Sequence, residues 1–383
     1  MNLFQFGNDG ASWVFYMIFM FLFFFFYPRM MLMQIMWKIE KVAEKLEFMA
    51  NDAKNFVTRE ITKRPNKKIK DSVARFFEFF VIEPVSLDPY GIIKKLEHII
   101  QNQKDRFSYF IDQIAPDMDK EKKENIKMGI AGGIELYMLA KIVRHYVEII
   151  KQTNSYQIAL LLQMQIPLIE KTANSLLKGT KSLAKGEPVG DGIGPLVAAE
   201  LIGNARVKEI EEDTIMAKIK INGRNAFVVK ARGPGGRLGR PGKAVEKLVK
   251  KYKIARIITI DAAGKLEGEK TGSVAEGVGV AMGGPGVEKS YIESVAVQKN
   301  IPLDSIVVKM KPEEAIMPMP KAVADAVPKA IEYVMDAIRR TKKGDSIIIV
   351  GVGNTSGIGN NKKDVENVYK WVKRRCKQKE RTT

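Results

Sequence analysis

The pattern of hydrophobic and polar positions divides the chain into three stretches, and the first is the most apolar. Residues 13–27 contain only Trp, Val, Phe, Tyr, Met, Ile and Leu, and a second apolar run follows the Pro28-Arg29 pair over residues 30–37. A membrane helix needs about 20 such residues to cross a hydrocarbon core of roughly 30 Å. The two runs together meet this length, so we predict a transmembrane anchor over residues 1–37.

The charges beside this anchor predict its orientation. Asp9 precedes the apolar run, whereas basic residues follow it at Arg29, Lys38, Lys41 and Lys45. Basic residues collect on the cytoplasmic side of a membrane span. We therefore expect a single-pass protein of the cell membrane, with its amino terminus outside and the bulk of the chain in the cytoplasm. The flank before the run lacks the basic residues of a signal peptide, so we expect no cleavage.

The second stretch, residues 38–186, has the periodicity of helices. Apolar residues recur at helical spacing over residues 92–114, and a further helix is predicted over residues 119–152. Residues 158–169 are apolar but too few to span a membrane, and they include Gln163, Gln165 and Pro167, so we predict a buried helix there. This stretch is predicted to form an all-α domain.

The third stretch alternates short β-branched runs with helical patterns. Asn222-Gly223 is typical of a two-residue hairpin turn between strands, and further strands are predicted over residues 256–261 and 346–352. Strands that alternate with helices indicate a mainly parallel sheet with helices on both faces. We predict an α/β domain over residues 187–377, followed by a basic tail over residues 378–383.

Composition limits the chemistry that this α/β domain can contain. The chain has a formal net charge of +19, which is consistent with an acidic partner, an anionic membrane surface or no partner at all. Its two histidines, His98 and His145, both precede residue 187, and its single cysteine is Cys376. Unless the two halves of the chain fold together, a site within the α/β domain must therefore work without an imidazole, which excludes most zinc sites and Ser-His nucleophiles. We predict no cofactor.

Two aspartates and two glycine loops are the candidate site. Asp191 lies in the turn Gly190-Asp-Gly-Ile-Gly-Pro195, and Asp261 ends a predicted strand. Ligands of α/β sheets bind at the carboxyl ends of strands, so we expect both to meet the glycine loops there. The loop residues, which we expect to supply backbone amides for an oxyanion or a ligand, are Gly283, Gly284, Gly286, Gly351, Gly353 and Asn354. Taken singly, Asp191 is also a candidate helix N-cap and Asp261 a candidate turn residue.

A basic loop precedes one of the predicted helices. Its cationic residues are Arg237, Arg240 and Lys243, but the spacing is one residue longer than that of a nucleotide phosphate loop. Ala244 also stands where such a loop places a hydroxyl. We interpret it as a flexible basic loop. With the net charge and the basic carboxy-terminal residues, it motivates an alternative function as a non-catalytic module that binds an anionic ligand or nucleic acid.

The aspartate motifs resemble those of known peptidases. Asp191-Gly-Ile-Gly-Pro-Leu-Val is similar to the acidic turn of the spore germination protease and hydrogenase maturation protease families. Ile258-Thr-Ile-Asp261-Ala-Ala is similar to the second aspartate strand of the germination protease, and the loop at Gly283 resembles its glycine loop. In those families a strand ending in Gly-x-Gly-Asn directly precedes the acidic turn, whereas here it appears at 351–354. We infer a circular permutation.

This resemblance implies a phosphorylase/hydrolase-like fold and a function. Asp191 and Asp261 would be the catalytic acid pair of an aspartate-dependent peptidase that acts on a protein or peptide. The nickel-sensing arrangement of the hydrogenase maturation proteases requires a histidine, so the metal-free version is the closer one. The acidic turn also matches a short sequence motif of isocitrate and isopropylmalate dehydrogenases, but we do not find the later motifs of those enzymes in this chain. The whole chain resembles an uncharacterised archaeal membrane-anchored family, which implies no activity and leaves a structural membrane scaffold as a further alternative.

Overall fold

The computed structural model describes residues 10–81, 91–284 and 286–380, and its contacts divide the chain into two compact units. The first unit comprises residues 1–51 and 136–173, and the second comprises residues 52–135 and 174–383. The helices are α1 (Gly10–Ile61), α2 (Lys67–Phe76), α3 (Ile92–Ile114), α4 (Lys120–Thr153), α5 (Tyr156–Lys185), α6 (Ile193–Ile202), α7 (Pro241–Lys251), α8 (Val287–Lys299), α9 (Pro312–Ile316), α10 (Lys321–Ala324), α11 (Val327–Arg339) and α12 (Lys362–Glu380).

The first unit consists of segments of α1, α4 and α5. Helix α1 continues through Pro28, and its residues 13–27 are exposed along their whole length. Further along α1, Ile35, Ile39 and Leu46 form a buried stripe at helical spacing. Within the described residues, α1 is the helix that is long and apolar enough to cross a membrane, by length and composition alone.

Helix α5 corrects one of the predictions. The apolar residues 158–169 do form its first half, but only the stripe that includes Ala159 and Leu162 is buried. Leu161, Met164 and Leu168 are each more than half exposed. The prediction of a buried helix here is therefore wrong, because the short apolar run covers more of the helix surface than the neighbouring helices bury.

The second unit is built on a seven-stranded sheet with the order β1-β2-β3-β7-β4-β6-β5. Its strands are β1 (Val207–Glu211), β2 (Thr214–Ile221), β3 (Arg224–Ala231), β4 (Ile254–Gly264), β5 (Val274–Val278), β6 (Leu303–Met310) and β7 (Ser346–Gly351). Strand β7 lies parallel to β3 and β4, and β4 lies parallel to β6. The other pairings, β1 with β2, β2 with β3 and β5 with β6, are antiparallel.

The sheet is therefore mixed, and the prediction of a mainly parallel sheet is wrong. The Asn222-Gly223 turn does join β2 to β3, with both residues at positive φ as such a hairpin requires. Because a tight hairpin can join only antiparallel strands, it adds antiparallel pairs to one edge of the parallel centre. Strand β1, which we did not predict, extends that edge, and β5 adds an antiparallel strand to the other edge.

Helices cover both faces of the sheet. Helices α6, α11 and α12 pack on one face, and α7 and α8 pack on the other. Successive side chains of β4 point to opposite faces of the sheet. Ile258 and Ile260 pack in the core beneath α6, α11 and α12, whereas Ile257 packs in the core beneath α7 and α8. Helix α3, from the predicted all-α stretch, packs against α8 within this unit.

The later helices follow the prediction with two differences. The helical pattern of residues 321–341 predicts one helix, but the structure has two, α10 and α11, because Pro328 in the first turn of α11 has no N–H to continue the preceding helix. Helix α9 was not predicted. Helix α12 runs to Glu380, so the predicted basic tail begins inside it, and residues 381–383 lie outside the described residues.

Candidate functional site

Asp191 lies in a short 3-10 turn, Gly190–Gly192, that leads directly into α6. Its carboxylate Oδ2 accepts a hydrogen bond of 2.8 Å from the backbone N–H of Asn354, in the loop after β7. Gly192 occupies the N-cap position of α6 and makes no side-chain cap. Asp191 is thus engaged by the β7 loop, and it does not act as the helix cap that its place in the sequence suggested.

Glycines allow this close approach of α6 to the sheet. A Cβ atom on Gly194 would lie 2.2 Å from the carbonyl oxygen of Val352 and 2.3 Å from that of Ile260. A Cβ on Gly353, whose φ is +130°, would lie 2.0 Å from the carbonyl oxygen of Asp191. Any other residue at either position would push the acidic turn away from the ends of β4 and β7.

Asp261 lies inside β4 and not at its end, which corrects the prediction. Strand β4 continues to Gly264 because β6 pairs with it that far. The neighbouring strand β7 stops at Gly351, opposite Ile260, so Asp261 is the first β4 residue beyond the end of β7. Its Oδ1 accepts a 2.7 Å hydrogen bond from the N–H of Ala262, and the backbone N–H of Gly283 lies near enough to this carboxyl to lower its pKa.

Burial raises the pKa of both carboxyls. For Asp261, burial and then the nearby charge of Asp191 raise the pKa to about 8, against a smaller lowering by the N–H groups of Ala262 and Gly283. Burial also raises the pKa of Asp191, and the N–H of Asn354 partly opposes this. Asp261 therefore holds a proton at neutral pH. Two nearby carboxyls in a low-dielectric site titrate as a pair, so that one can be protonated while the other is ionised.

A cavity of about 390 Å³ opens beside this pair, which we call the acidic cavity. The predicted site residues on its wall are Asp191, Asp261, Gly283, Gly284, Gly286, Gly353 and Arg240. Gly351 lies behind the wall, where a Cβ would meet the carbonyl oxygen of Gly194, and Asn354 is buried beneath Asp191. The structure thus brings together the two aspartates and both glycine loops, while their catalytic and oxyanion roles remain predictions.

An ion-pair cluster at the edge of the acidic cavity was not predicted. Glu97 of α3 pairs with Arg240 and Lys243 and accepts a 2.6 Å hydrogen bond from the hydroxyl of Tyr291. Burial alone would raise the pKa of Glu97, but the hydrogen bonds from these three partners outweigh it and lower the pKa to about 2. No sequence motif marks Glu97, because its partners come from α7 and α8, far along the chain.

Glu288 completes this edge from α8. Its Oε2 accepts a 2.7 Å hydrogen bond from the N–H of Gly242, at the start of α7, and its Oε1 lies 3.4 Å from Nε of Arg240. Burial raises the pKa of Glu288, and these contacts lower it by less. Glu288 therefore ties α7 to α8 beside the two aspartates.

The predicted basic loop is held in place by carboxylates. Arg237 has a side chain that is 1% exposed, and it pairs with Glu121 at 2.5 Å and with Asp213 at 3.2 Å. The loop backbone is also fixed, since the N–H of Gly235 donates to Glu121 at 2.7 Å. With Arg240 and Lys243 paired to Glu97, all three predicted cations have internal acidic partners, which reduces their capacity to attract an external anion.

Lys230 supports the site from within the sheet. It is fully buried near the end of β3, and its Nζ donates to the carbonyl oxygens of Ala231 and Gly359 and to Oδ1 of Asn360 at 2.9–3.1 Å. Burial lowers the pKa of Lys230 to about 7, although the charge of Asp364 opposes this. Lys230 thereby holds Gly359 and Asn360, at the end of the loop that follows β7. Asn354, which donates to Asp191, lies near the start of the same loop.

This geometry defines a protein with a long apolar helix and a mixed-sheet α/β unit in which two aspartates share one cavity wall. The chain matches two family models, described as "Protein of unknown function (DUF1512) N-terminal domain" over residues 13–186 and "Domain of unknown function (DUF1512) C-terminal" over residues 189–359. Together they cover most of the chain, which therefore belongs to the DUF1512 family. No curated protein and no solved structure matched the chain.

The family match confirms the prediction of a family of unknown function. The resemblance to the germination and hydrogenase maturation proteases, the permutation and the archaeal origin remain predictions. Within the described ranges, no group of three His, Cys, Asp or Glu side chains lies close enough to hold a metal ion.

Proposed function

We propose that the chain is a membrane-anchored hydrolase whose α/β unit faces the cytoplasm and cleaves peptide bonds with Asp191 and Asp261. The observation that supports this most is the pair of carboxyls on one cavity wall, of which Asp261 is buried and Asp191 is partly buried, with the pKa of Asp261 raised to about 8. Aspartate-dependent hydrolysis needs one protonated and one ionised carboxyl at the same pH, and a shared site of low polarity supplies both.

The reaction follows from that shared proton. The ionised carboxyl accepts a proton from a water molecule as the water oxygen bonds to the carbonyl carbon of the substrate, and the protonated carboxyl gives its proton to the carbonyl oxygen. The tetrahedral product then returns one hydroxyl proton to the ionised carboxyl. The C–N bond breaks as the other carboxyl protonates the nitrogen, which leaves a carboxylic acid and an amine. Because Asp261 is protonated at neutral pH, we assign it as the initial acid and Asp191 as the initial base.

The surroundings of the pair fit these roles. The N–H of Asn354 donates to Asp191 and favours its ionised form, whereas Asp261 also feels the negative charge of Asp191, which favours its protonated form. The helix N-terminus at Val287, with the glycine loop before it, faces the same cavity and would stabilise negative charge that develops on the substrate oxygen.

Substitution of the acids tests the proposal. The full chain in detergent micelles would be incubated with a broad peptide library, and cleavage would be read by mass spectrometry. We expect Asp191→Asn and Asp261→Asn each to reduce cleavage on the order of 10²–10⁴-fold, the usual contribution of a general acid or base. Asp325→Asn is the matched control, because the side chain of Asp325 is 58% exposed on the surface. Equal cleavage by the wild type and the double variant would refute the peptidase.

The alternative of an anion-binding or nucleic-acid-binding module rests on the net charge of +19. It predicts strong binding of RNA or nucleotides that weakens steeply with salt and does not depend on Asp191 or Asp261. The internal pairing of Arg237, Arg240 and Lys243 weighs against the basic loop as that binding site.

A further inference from the structure

A second cavity adjoins the acidic cavity. It encloses about 270 Å³ between α3, the first half of α4 and the loop that contains Leu238, and we call it the side cavity. The two cavities share Ile100, Lys104, Leu238 and Gly239 in their walls, so these residues form the divide between them. A ligand that occupies both must pass across this divide.

The divide and the side cavity present apolar side chains. Leu238 is 57% exposed and Ile100 is 38% exposed, although both lie in cavity walls. Beyond them, Phe107, Met128 and Ala131 line the side cavity. Apolar groups that remain in contact with water in a concave site gain free energy when an apolar ligand covers them.

The charged groups around the side cavity have internal partners. Lys104 pairs with Glu212 and with Asp213, each at 2.7 Å, and Lys127 pairs with Glu124 at 2.8 Å. Because these charges neutralise one another, a ligand in the side cavity needs no charged group of its own. Its wall instead favours a neutral, apolar one.

The divide is held rigidly in relation to the acid pair. In the loop that contains Leu238, the N–H of Gly236 donates to Oδ1 of Asn125 on α4 at 2.8 Å. The N–H of Arg237 donates to the hydroxyl of Thr355 at 3.2 Å. Thr355 directly follows Asn354, whose N–H holds Asp191. The position of the side cavity is therefore fixed with respect to the proposed reaction site.

We infer that the side cavity binds a bulky apolar side chain of an extended polypeptide, whose backbone crosses the divide between Leu238 and Ile100 to reach Asp191 and Asp261. This inference rests on the proposed function for the role of the acid pair. A small substrate would fill one cavity, whereas a peptide chain can fill both with side chains on either side of the divide. The substrate class is thus a polypeptide with a Leu, Met or Phe residue outside the bond that is cleaved.

Peptide binding tests this inference separately from cleavage. The probes are fluorescein-labelled peptides of about eight residues, which span about 26 Å when extended. In each series one position carries Leu or Phe in one peptide and Ser in its partner. Fluorescence anisotropy with the full chain in detergent micelles gives the Kd, and the same samples are analysed by mass spectrometry for cleavage. We expect the apolar peptides to bind the wild type about tenfold or more tightly than the Ser peptides.

Two variants address the cavity itself. Leu238→Asp places a charge on the exposed divide, and Ala131→Phe fills the side cavity; each should remove the preference for the apolar peptides. Leu266→Asp is the matched control, because Leu266 is 74% exposed in the turn after β4, outside both walls. Retention of the preference in both variants, or equal binding of apolar and Ser peptides by the wild type, would overturn the inference. Selective binding without cleavage would support the side cavity and refute only the peptidase.

Discussion

At the scale of single residues, burial determines the chemistry of the acid pair. Asp261 is 5% exposed in a sheet whose neighbouring positions are apolar, and its pKa is raised to about 8. The unfolded chain would ionise this carboxyl near pH 4. Between these values the folded state binds a proton that the unfolded state releases. The site is therefore maintained at the expense of stability, as is common where function and folding compete.

The first prediction concerns stability and pH. As the pH rises from about 4 to about 8, the folded wild type should lose stability by up to about 1.4 kcal/mol per pH unit relative to Asp261→Asn, because the substituted side chain does not ionise. Denaturant unfolding followed by circular dichroism at several pH values would measure the difference. It should be smallest below pH 4. A constant difference across this range would show that Asp261 is not a buried carboxyl of raised pKa.

The second prediction concerns activity and pH. Cleavage should fall as the pH rises through about 8, because Asp261 then loses the proton that it donates to the substrate. At low pH both carboxyls are protonated and neither can act as the base, so cleavage should increase with pH as the first of them ionises. The pH profile of kcat/KM for the wild type would show both limbs as apparent values of the pair. A flat profile above pH 8 would remove Asp261 from the role of acid.

At the scale of secondary-structure elements, the packing of α6 against the sheet edge creates the site. The turn before α6 supplies Asp191, and the helix itself lies against the ends of β4 and β7 without a side chain at Gly194. Because Gly194 has no side chain, α6 can lie close to the sheet, and this places Asp191, in the turn before α6, next to Asp261 on β4. Neither element forms the acid pair alone.

The third prediction tests this contact. Gly194→Ala should destabilise the fold by about 1–3 kcal/mol or more, since its Cβ would overlap carbonyl oxygens of Ile260 and Val352 that are held in the sheet. Gly264→Ala, at the end of β4, is the matched control because a Cβ there meets no atom within 4 Å. Its stability should stay within about 0.5 kcal/mol of the wild type. Equal denaturation midpoints for the two variants would contradict the close packing of α6.

At the scale of the whole molecule, two properties favour attachment to a membrane by different forces. Residues 13–27 of α1 are apolar and exposed, and the chain has a net charge of +19. Attachment through charge alone is weakened by salt, whereas insertion of an apolar helix is not. Extraction therefore distinguishes a membrane span from an electrostatic contact.

The fourth prediction is that detergent, and not high salt, releases the full chain from membranes. Phe23→Lys with Phe24→Lys should shift the protein towards the soluble fraction, because each lysine adds about 2.5–3.5 kcal/mol to insertion at the centre of a span. Phe48→Lys is the control, at an exposed phenylalanine beyond the apolar run. Sedimentation and immunoblotting would give the fractions. Release of the wild type by salt alone would exclude the anchor.

The sequence by itself determined the local elements of this protein. Helical periodicity predicted α3 and α4 within about one residue at each end, and Asn222-Gly223 predicted the β2–β3 hairpin, because spacing and turn chemistry act between near neighbours. It also indicated that Asp191, Asp261 and the Gly351 loop belong together. A mainly parallel sheet was predicted because the strands alternate with helices, but β1, the β2–β3 hairpin and β5 add antiparallel pairs between strands that are consecutive in the chain.

Only the tertiary structure decided what surrounds the turn at Gly190–Pro195. In the folded chain, Asp191 accepts a hydrogen bond from the N–H of Asn354, and β4 continues past Asp261. Glu97 of α3 forms ion pairs with Arg240 and Lys243. The tertiary structure also paired the basic loop internally and set the side cavity beside the acid pair. Most of these contacts join residues more than 100 positions apart, although β4 and β6 are closer in the chain. Burial by such contacts, which no local pattern records, raises the pKa of the two aspartates.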